Sequence, residues 1–306
     1  MQAVSKRKKP LNKKRTLFII IGIAIPFINW LLFYVYPNIA SILMAFTNSR
    51  GEVSADNFVR FFGEFQQPTS QMRLAFKNTF ITFGILFVTF PFKVLVSYFI
   101  YKKIPFAGFY RVIFFLPSII FSVAIAMVFV QIVGPEGAIA QTIQKWMGLD
   151  YTPELLADTR FANYTVLAHL VWLNFPGDLI IWGGTFARIP EDVLESGRID
   201  GVTWWTEFTK IIVPMVWPTV ALQMILLFCG IFGASGAVFL LTEGNYGTMT
   251  IGAWLYLTLY RNSGSMYTSN VYNYMSAIGL ILTVIAVTIS LLVRRFTDRA
   301  FEEVEY

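Results

Sequence analysis

Catalysis needs clustered bases, nucleophiles or metal ligands, and this 306-residue chain holds one histidine, His169, and one cysteine, Cys229. A single cysteine can neither close an intramolecular disulfide nor build a thiolate metal cage. A metal centre would take almost all its ligands from carboxylates, which are scattered along the chain. Nothing matches G-x-x-x-x-G-K-[ST], so any ATP chemistry is supplied by another chain. No catalytic residue, metal site or bound cofactor is therefore assigned. The polar residues that stand out are of two kinds. His169 and Asp178 sit inside a long apolar run. An ionisable group at membrane depth is costly and is a functional candidate for that reason. Asp178 shares a helical face with Asn174 at i, i+4. It serves equally well as a path-lining group or as a packing partner for another helix or subunit. His169 is read as a neutral packing histidine.

The second feature is a charged interruption between apolar runs, Ile189-Pro190-Glu191-Asp192-Val193-Leu194-Glu195-Ser196-Gly197-Arg198-Ile199-Asp200-Gly201, followed by Val202 through Pro214. Pro190 suits a first helical position, and Glu191 and Asp192 complement a helix N-terminus. Ser196 and Gly197 keep one face small, and Gly201 is a fit helix stop. The residues alone leave two readings open: an ordinary polar loop, or a short helix that lets a partner approach closely.

The elements that must position these residues lie in lipid. Hydrophobic residues make up 56% of the chain and charged ones 14%, against about 25% charge in soluble domains. A spanning helix needs about 20 mostly apolar residues. Six spans are expected: Thr16 to Tyr36, Leu74 to Tyr101, Val112 to Val133, Tyr164 to Ala187, Ile211 to Thr242 and Tyr272 to Val293. The first follows a basic block and is too long for a signal-peptide core, so it is read as an uncleaved span. The fifth is over-long and rich in Pro and Gly, which predicts a kinked or interrupted helix. Lys93, about two turns from the cytoplasmic end of the second span, can snorkel. Residues 48–73, about 134–163 and 243–270 are read as loops. About 16 basic residues then fall on one side and six on the other, which places both termini in the cytoplasm. The chain divides into a basic segment 1–15, a membrane domain 16–294 and a short tail 295–306. The net charge of +6 reflects this asymmetry and does not call for nucleic acid.

The charged segment resembles the signature loop of binding-protein-dependent ABC transporter permeases: E-A-A, three residues, G, then I-x-x-P. The matching residues are Glu195-Ser196-Gly197, Asp200-Gly201 and Ile211-x-x-Pro214. Asn78-Thr79-Phe80, Phe115-Leu116-Pro117 and Leu241-Thr242-Glu243-Gly244 resemble further motifs of that family. Ser196, Gly197 and Val202 depart from the family's alanines and stay small or modest in size. The whole pattern is most similar to the carbohydrate branch, the first membrane subunit of maltose-type or multiple-sugar importers.

That resemblance implies an all-α, six-span permease fold in a bacterial or archaeal cytoplasmic membrane. It implies a second permease subunit, a pair of ATPase subunits that hold ATP and magnesium, and an extracytoplasmic solute-binding protein delivering a carbohydrate. Loop 188–214 becomes the coupling contact, with Glu195, Ser196, Gly197, Asp200 and Gly201 at the ATPase and Glu195 as its ion pair or cap. Matching distances back from the loop puts a substrate-contacting aromatic at Trp172 with Asn174 close by. Ideal geometry separates these two by about 200°, so they share a cavity only if Pro176 distorts the helix. Ser118 and Ser122, one turn apart, are expected on one face of the third span. Asp178, Phe232 and Ser235 complete the expected path. Other readings are the same machine with a polyol, glycerol phosphate or peptide cargo, and an autonomous secondary transporter. The first lacks an Arg or Lys in spans three to five where a phosphate is carried. The second lacks an inverted repeat.

Overall fold

The computed structural model describes residues 13–262 and 268–300. The front of the basic block, Lys6 to Lys9, and the end of the acidic tail lie outside them. Among the described residues the chain is helical, with one isolated bridge between Thr47 and Val53. Helix α1 (Lys13–Trp30) continues through a π-helical turn (Leu31–Val35) into α2 (Tyr36–Ala45). Then come α3 (Asp56–Gln66), α4 (Gln71–Tyr101), α5 (Ala107–Ile119), α6 (Ser122–Val133) and α7 (Ala138–Met147). Next are α8 (Ala162–Gly177), α9 (Leu179–Phe186), α10 (Glu191–Ile199) and α11 (Trp204–Thr206). A second π-helical turn (Glu207–Ile212) leads to α12 (Val213–Met215), α13 (Trp217–Cys229), α14 (Gly236–Thr242), α15 (Ile251–Asn262) and α16 (Thr268–Ala300).

Five helical runs are long and apolar enough to cross a membrane, and six if the bent pair Trp204–Met215 and Trp217–Cys229 counts as one span. That pair bends by 76° around Val216, and a non-helical stretch follows at 230–235. The fifth span is thus broken twice, where its prolines and glycines lie. The third span differs from expectation. Ile120 and Phe121 are extended, with ψ of 138° and 132°, so α5 and α6 are separate helices. Pro117 removes one backbone hydrogen bond from the last turn of α5. Helices α3, α7 and α15 occupy segments expected to be loops.

The chain forms two compact units. In the first, residues 1–60 with 265–280, no residue from Leu17 to Met44 is buried, as lipid as solvent permits. Asn57 donates from Nδ2 to the carbonyls of Ala45 (3.1 Å) and Thr47 (2.9 Å), and the Arg60 guanidinium lies 4.0 Å above the Tyr274 ring.

The second unit, 61–264 with 281–306, is organised around α4, which packs against α5, α8, α9 and α15. The Asn78-Thr79-Phe80 motif here holds the loop that follows Leu241-Thr242-Glu243-Gly244. Asn78 donates to the carbonyls of Gly247 (2.7 Å) and Met249 (2.9 Å), and Thr79 accepts from the Ile251 amide (2.9 Å). The loop they hold turns through positive φ at Glu243, Gly244, Tyr246 and Gly247. Gly244 takes φ +77°, a conformation that favours glycine, and a Cβ there would press on the flexible tip of the Met249 side chain. Asn78→Leu leaves two carbonyls unpaired in a buried setting, at a cost on the order of 2 kcal/mol. The expected result is a lower melting temperature of the purified chain in detergent, with Asn78→Asp at least as low, because a carboxylate donates to neither carbonyl.

Candidate functional site

The charged segment is a fixed structure. After α9, Ile189 is buried and Pro190 is extended, with ψ of 133°, so α10 starts at Glu191. Glu191 and Asp192 lie in its first turn and Arg198 in its last, each complementing the helix dipole. Leu194 and Gly197, at i, i+3, are its buried face. A Cβ on Gly197 would meet Ile211 Cδ1 at 3.2 Å, so glycine permits the close approach of α10 to the second π-helical turn. The helix ends in a Schellman motif: Gly201 takes φ +68°, its amide reaches the Arg198 carbonyl (3.1 Å), and the Val202 amide reaches the Gly197 carbonyl (3.0 Å).

Opposite the buried face stand Glu195, Ser196, Arg198, Ile199 and Asp200, all exposed, with Ile199 86% exposed, and Trp204 and Trp205 follow them. Ser196 Oγ donates to the Val193 carbonyl (3.0 Å). The Glu195 carboxylate makes no hydrogen bond or ion pair with any described residue, so it does not cap its own loop.

Glu207 was not among the expected site residues and is the most constrained acid in the segment. It is 5% exposed and accepts from Tyr98 Oη (3.0 Å) of α4 and from Lys102 Nζ (2.6 Å) at that helix's C-cap. Its sequence position, four residues past Thr203 in a polar turn, carries no signal of a partner 105 positions away.

The expected path residues fall into separate groups. Trp172, on α8, is 38% exposed and stacks on Phe129 of α6, with centroids 5.9 Å apart. His169 completes this trio, 4.7 Å from Phe129 and 6.2 Å from Trp172. It is fully buried, and neither ring nitrogen has a partner among the described residues, which suits a neutral packing role. Helix α8 runs unbroken to Gly177, so Trp172 and Asn174 leave it on different faces. Asn174 Nδ2 bonds to the Leu170 carbonyl (2.9 Å). Asp178 stands at the break between α8 and α9 and is paired with Lys93 Nζ at 3.2 Å. Lys93 is buried and therefore does not snorkel. Ser118 and Ser122 do not share a helix, because the chain breaks between them; Ser118 Oγ bonds to the Phe115 carbonyl (2.7 Å). Phe232 lies edge-on to Phe76 and Phe80, and Ser235 precedes α14.

Outside the spans, Asp158 takes a bidentate hold on Arg160, at 2.6–3.2 Å. The guanidinium and the Arg160 amide hold its carboxyl below the usual carboxylate range.

Residues 93–302 match the family described as binding-protein-dependent transport system inner membrane component. The osmoprotective compounds uptake permease protein GgtC of Synechocystis sp. is 27% identical over 244 residues, covering 76% of this chain and 85% of that one. The multiple sugar-binding transport system permease protein MsmF of Streptococcus mutans is 23% identical over 275 residues, covering 88% and 91%. A crystal structure of a bacterial alginate ABC transporter, in complex with an alginate pentasaccharide-bound periplasmic protein, superimposes with a TM-score of 0.78. That likeness covers 94% of this chain and 96% of that one at 24% identity, and it is a likeness of fold. The family match spans more than half of the chain and includes α10 with its Schellman stop and the bent fifth span. This chain belongs to the inner membrane components of binding-protein-dependent transport systems: it is a multi-pass permease subunit of an ABC importer, not an enzyme.

Proposed function

We propose that this permease imports a sugar or oligosaccharide, handed over by an extracytoplasmic binding protein and driven by two partner ATPases through segment 188–214. The observation that carries the coupling half is α10: one face is locked into the core by Leu194 and Gly197, while the other presents Glu195 with no partner among the described residues. A helix held this way moves only with the body beneath it. Both termini and α10 then lie on the cytoplasmic side, and a second permease subunit completes the path. ATP and magnesium sit on the partners. ATP binding must favour one state strongly, since moving a population from 1:99 to 99:1 takes about 5.5 kcal/mol.

The carbohydrate half is supported by the sugar-transport name of MsmF, by the oligosaccharide held by the structural neighbour's periplasmic protein, and by the aromatic pair Trp172–Phe129. Sugars present C–H faces that stack on indole rings and hydroxyls that need hydrogen bonds. Reconstituted alone, the chain should neither bind nor hydrolyse ATP. With its second permease, ATPase and binding protein in proteoliposomes, it should take up labelled oligosaccharide only when ATP and the binding protein are both supplied. Uptake without the binding protein, or uptake of a peptide or glycerol phosphate in preference to every sugar tried, overturns this reading.

A further inference from the structure

Helix α4 is tied to the chain on both sides of α10, by charged groups that the coupling contact itself does not use. Upstream of α10, Asp178 at the α8–α9 break pairs with Lys93 (3.2 Å). Downstream of it, Glu207 accepts from Tyr98 Oη (3.0 Å) and Lys102 Nζ (2.6 Å), and the Lys102 ammonium also lies 5.4 Å from the centre of the Tyr98 ring. Lys93 lies on α4 and Lys102 caps the same helix nine residues later, which separates the two ties by about 14 Å. Between them a single apolar cluster fuses α4 (Phe90, Val94, Tyr98) with α9 (Trp182, Phe186), α10 (Leu194) and the π-helical turn (Phe208).

We infer that Tyr98, Lys102 and Glu207 are positioning residues of transport, a clamp that makes α4 move as one body with α10. The inference rests on the coupling reading above. A carboxylate this buried cannot be released cheaply, because breaking the pair leaves an uncompensated charge. Two donors on one acid also fix both distance and register, which apolar contact alone does not. A displacement applied to the exposed face of α10 is therefore carried to α4 and along it to Lys93 and Asp178. The bend at Val216 lies just beyond the clamp, and the same cluster continues across it through Val216 and Val220 into α13. In this arrangement the Glu195 face receives the stroke and the Glu207 clamp passes it inward.

The test uses the complete importer in proteoliposomes, with ATPase capture, basal ATP hydrolysis and binding-protein-stimulated hydrolysis measured together. Glu207→Gln and Lys102→Met should capture the ATPase and keep basal hydrolysis, yet lose stimulation by at least about fivefold. Lys102→Arg should retain it, and the exchanged pair Lys102→Glu with Glu207→Lys should regain most of it. Spin labels at Phe92→Cys and Arg198→Cys, with Cys229→Ser, should hold one α4–α10 distance with and without ATP. In the Glu207→Gln background the distance should change on adding ATP. Stimulation at wild-type level in both single variants overturns the clamp, as does an α4–α10 distance that changes with ATP in the intact pair. Loss of ATPase capture in step with stimulation also overturns it, since the acid then only builds the docking surface. If the single variants do not assemble, Tyr98→Phe and the exchanged pair decide: an assembled exchanged pair without stimulation refutes the clamp, and one with stimulation supports it. Capture that survives Glu195→Lys defeats the coupling reading instead, a separate result.

Discussion

Glu195→Lys should abolish capture of the partner ATPase while leaving the chain folded. The side chain is exposed on α10 and makes no bond to any described residue, so its replacement breaks nothing inside the molecule. Helix α10 keeps its buried Leu194 and Gly197, its Glu191 and Asp192 first turn and its Gly201 stop. All the cost therefore falls on the interface. Removing one side of a hydrogen-bonded charge pair buried between proteins costs about 2–5 kcal/mol, and reversing its sign adds repulsion. Capture in detergent should drop by more than about tenfold. Glu195→Gln, which keeps shape and hydrogen bonding, should lose less. The melting temperature of the isolated chain should stay where it is in both variants. Normal capture and normal transport by Glu195→Lys would remove α10 from the coupling role. A lowered melting temperature would show that Glu195 supports the fold.

How far the sequence disclosed this arrangement depends on the range over which each feature is determined. The membrane runs were legible because about 20 apolar residues in a row leave few alternatives. The end of α10 was legible because Asp200-Gly201 is a local signal, satisfied by a local Schellman motif. The interruption of the fifth span followed from Pro214, Pro218 and the glycines beyond them. The break at Ile120–Phe121 was not legible, since nothing apolar about that stretch separates one straight span from two helices. Helix α3 was missed because its charged and polar residues lower the apolar signal that marks a span, and α15 because 12 residues are too short for one; α7 instead continues α6 in the span-length run Ser122–Met147. The ion pairs were the largest loss. Lys93 and Asp178 are 85 positions apart, and Lys102 and Glu207 105. The chain shows the charges but not which of them meet. Asn78 was recognised by likeness alone; its purpose, holding the loop before α15 by two carbonyls, needed the fold.

Trp172→Ala should remove sugar-stimulated uptake from an importer that still assembles. Trp172 is the eleventh residue of the 25-residue run Ala162–Phe186, which places it close to the middle of the membrane. One side of its indole is covered by Phe129, with rings inclined by 29°, and 38% of the residue stays exposed. An indole backed by Phe129 and His169 and still 38% exposed can stack on the C–H face of a sugar. Deleting it forfeits that stack and the area it buries, on the order of 2 kcal/mol. Uptake should then fall about thirtyfold, with basal ATP hydrolysis and ATPase capture unchanged. Trp172→Phe keeps a ring over Phe129 and should lose only a few-fold. Asn174→Ala is the contrast: it lies on another face of α8 and is bonded to its own helix, so it should transport nearly as the unaltered chain does. The same removal uncovers Phe129 and the unpartnered His169, so a second outcome is open. A Trp172→Ala chain that no longer assembles would show that the indole is there to pack the α6–α8 contact. One that assembles and transports normally would put the sugar path on another face of the bundle.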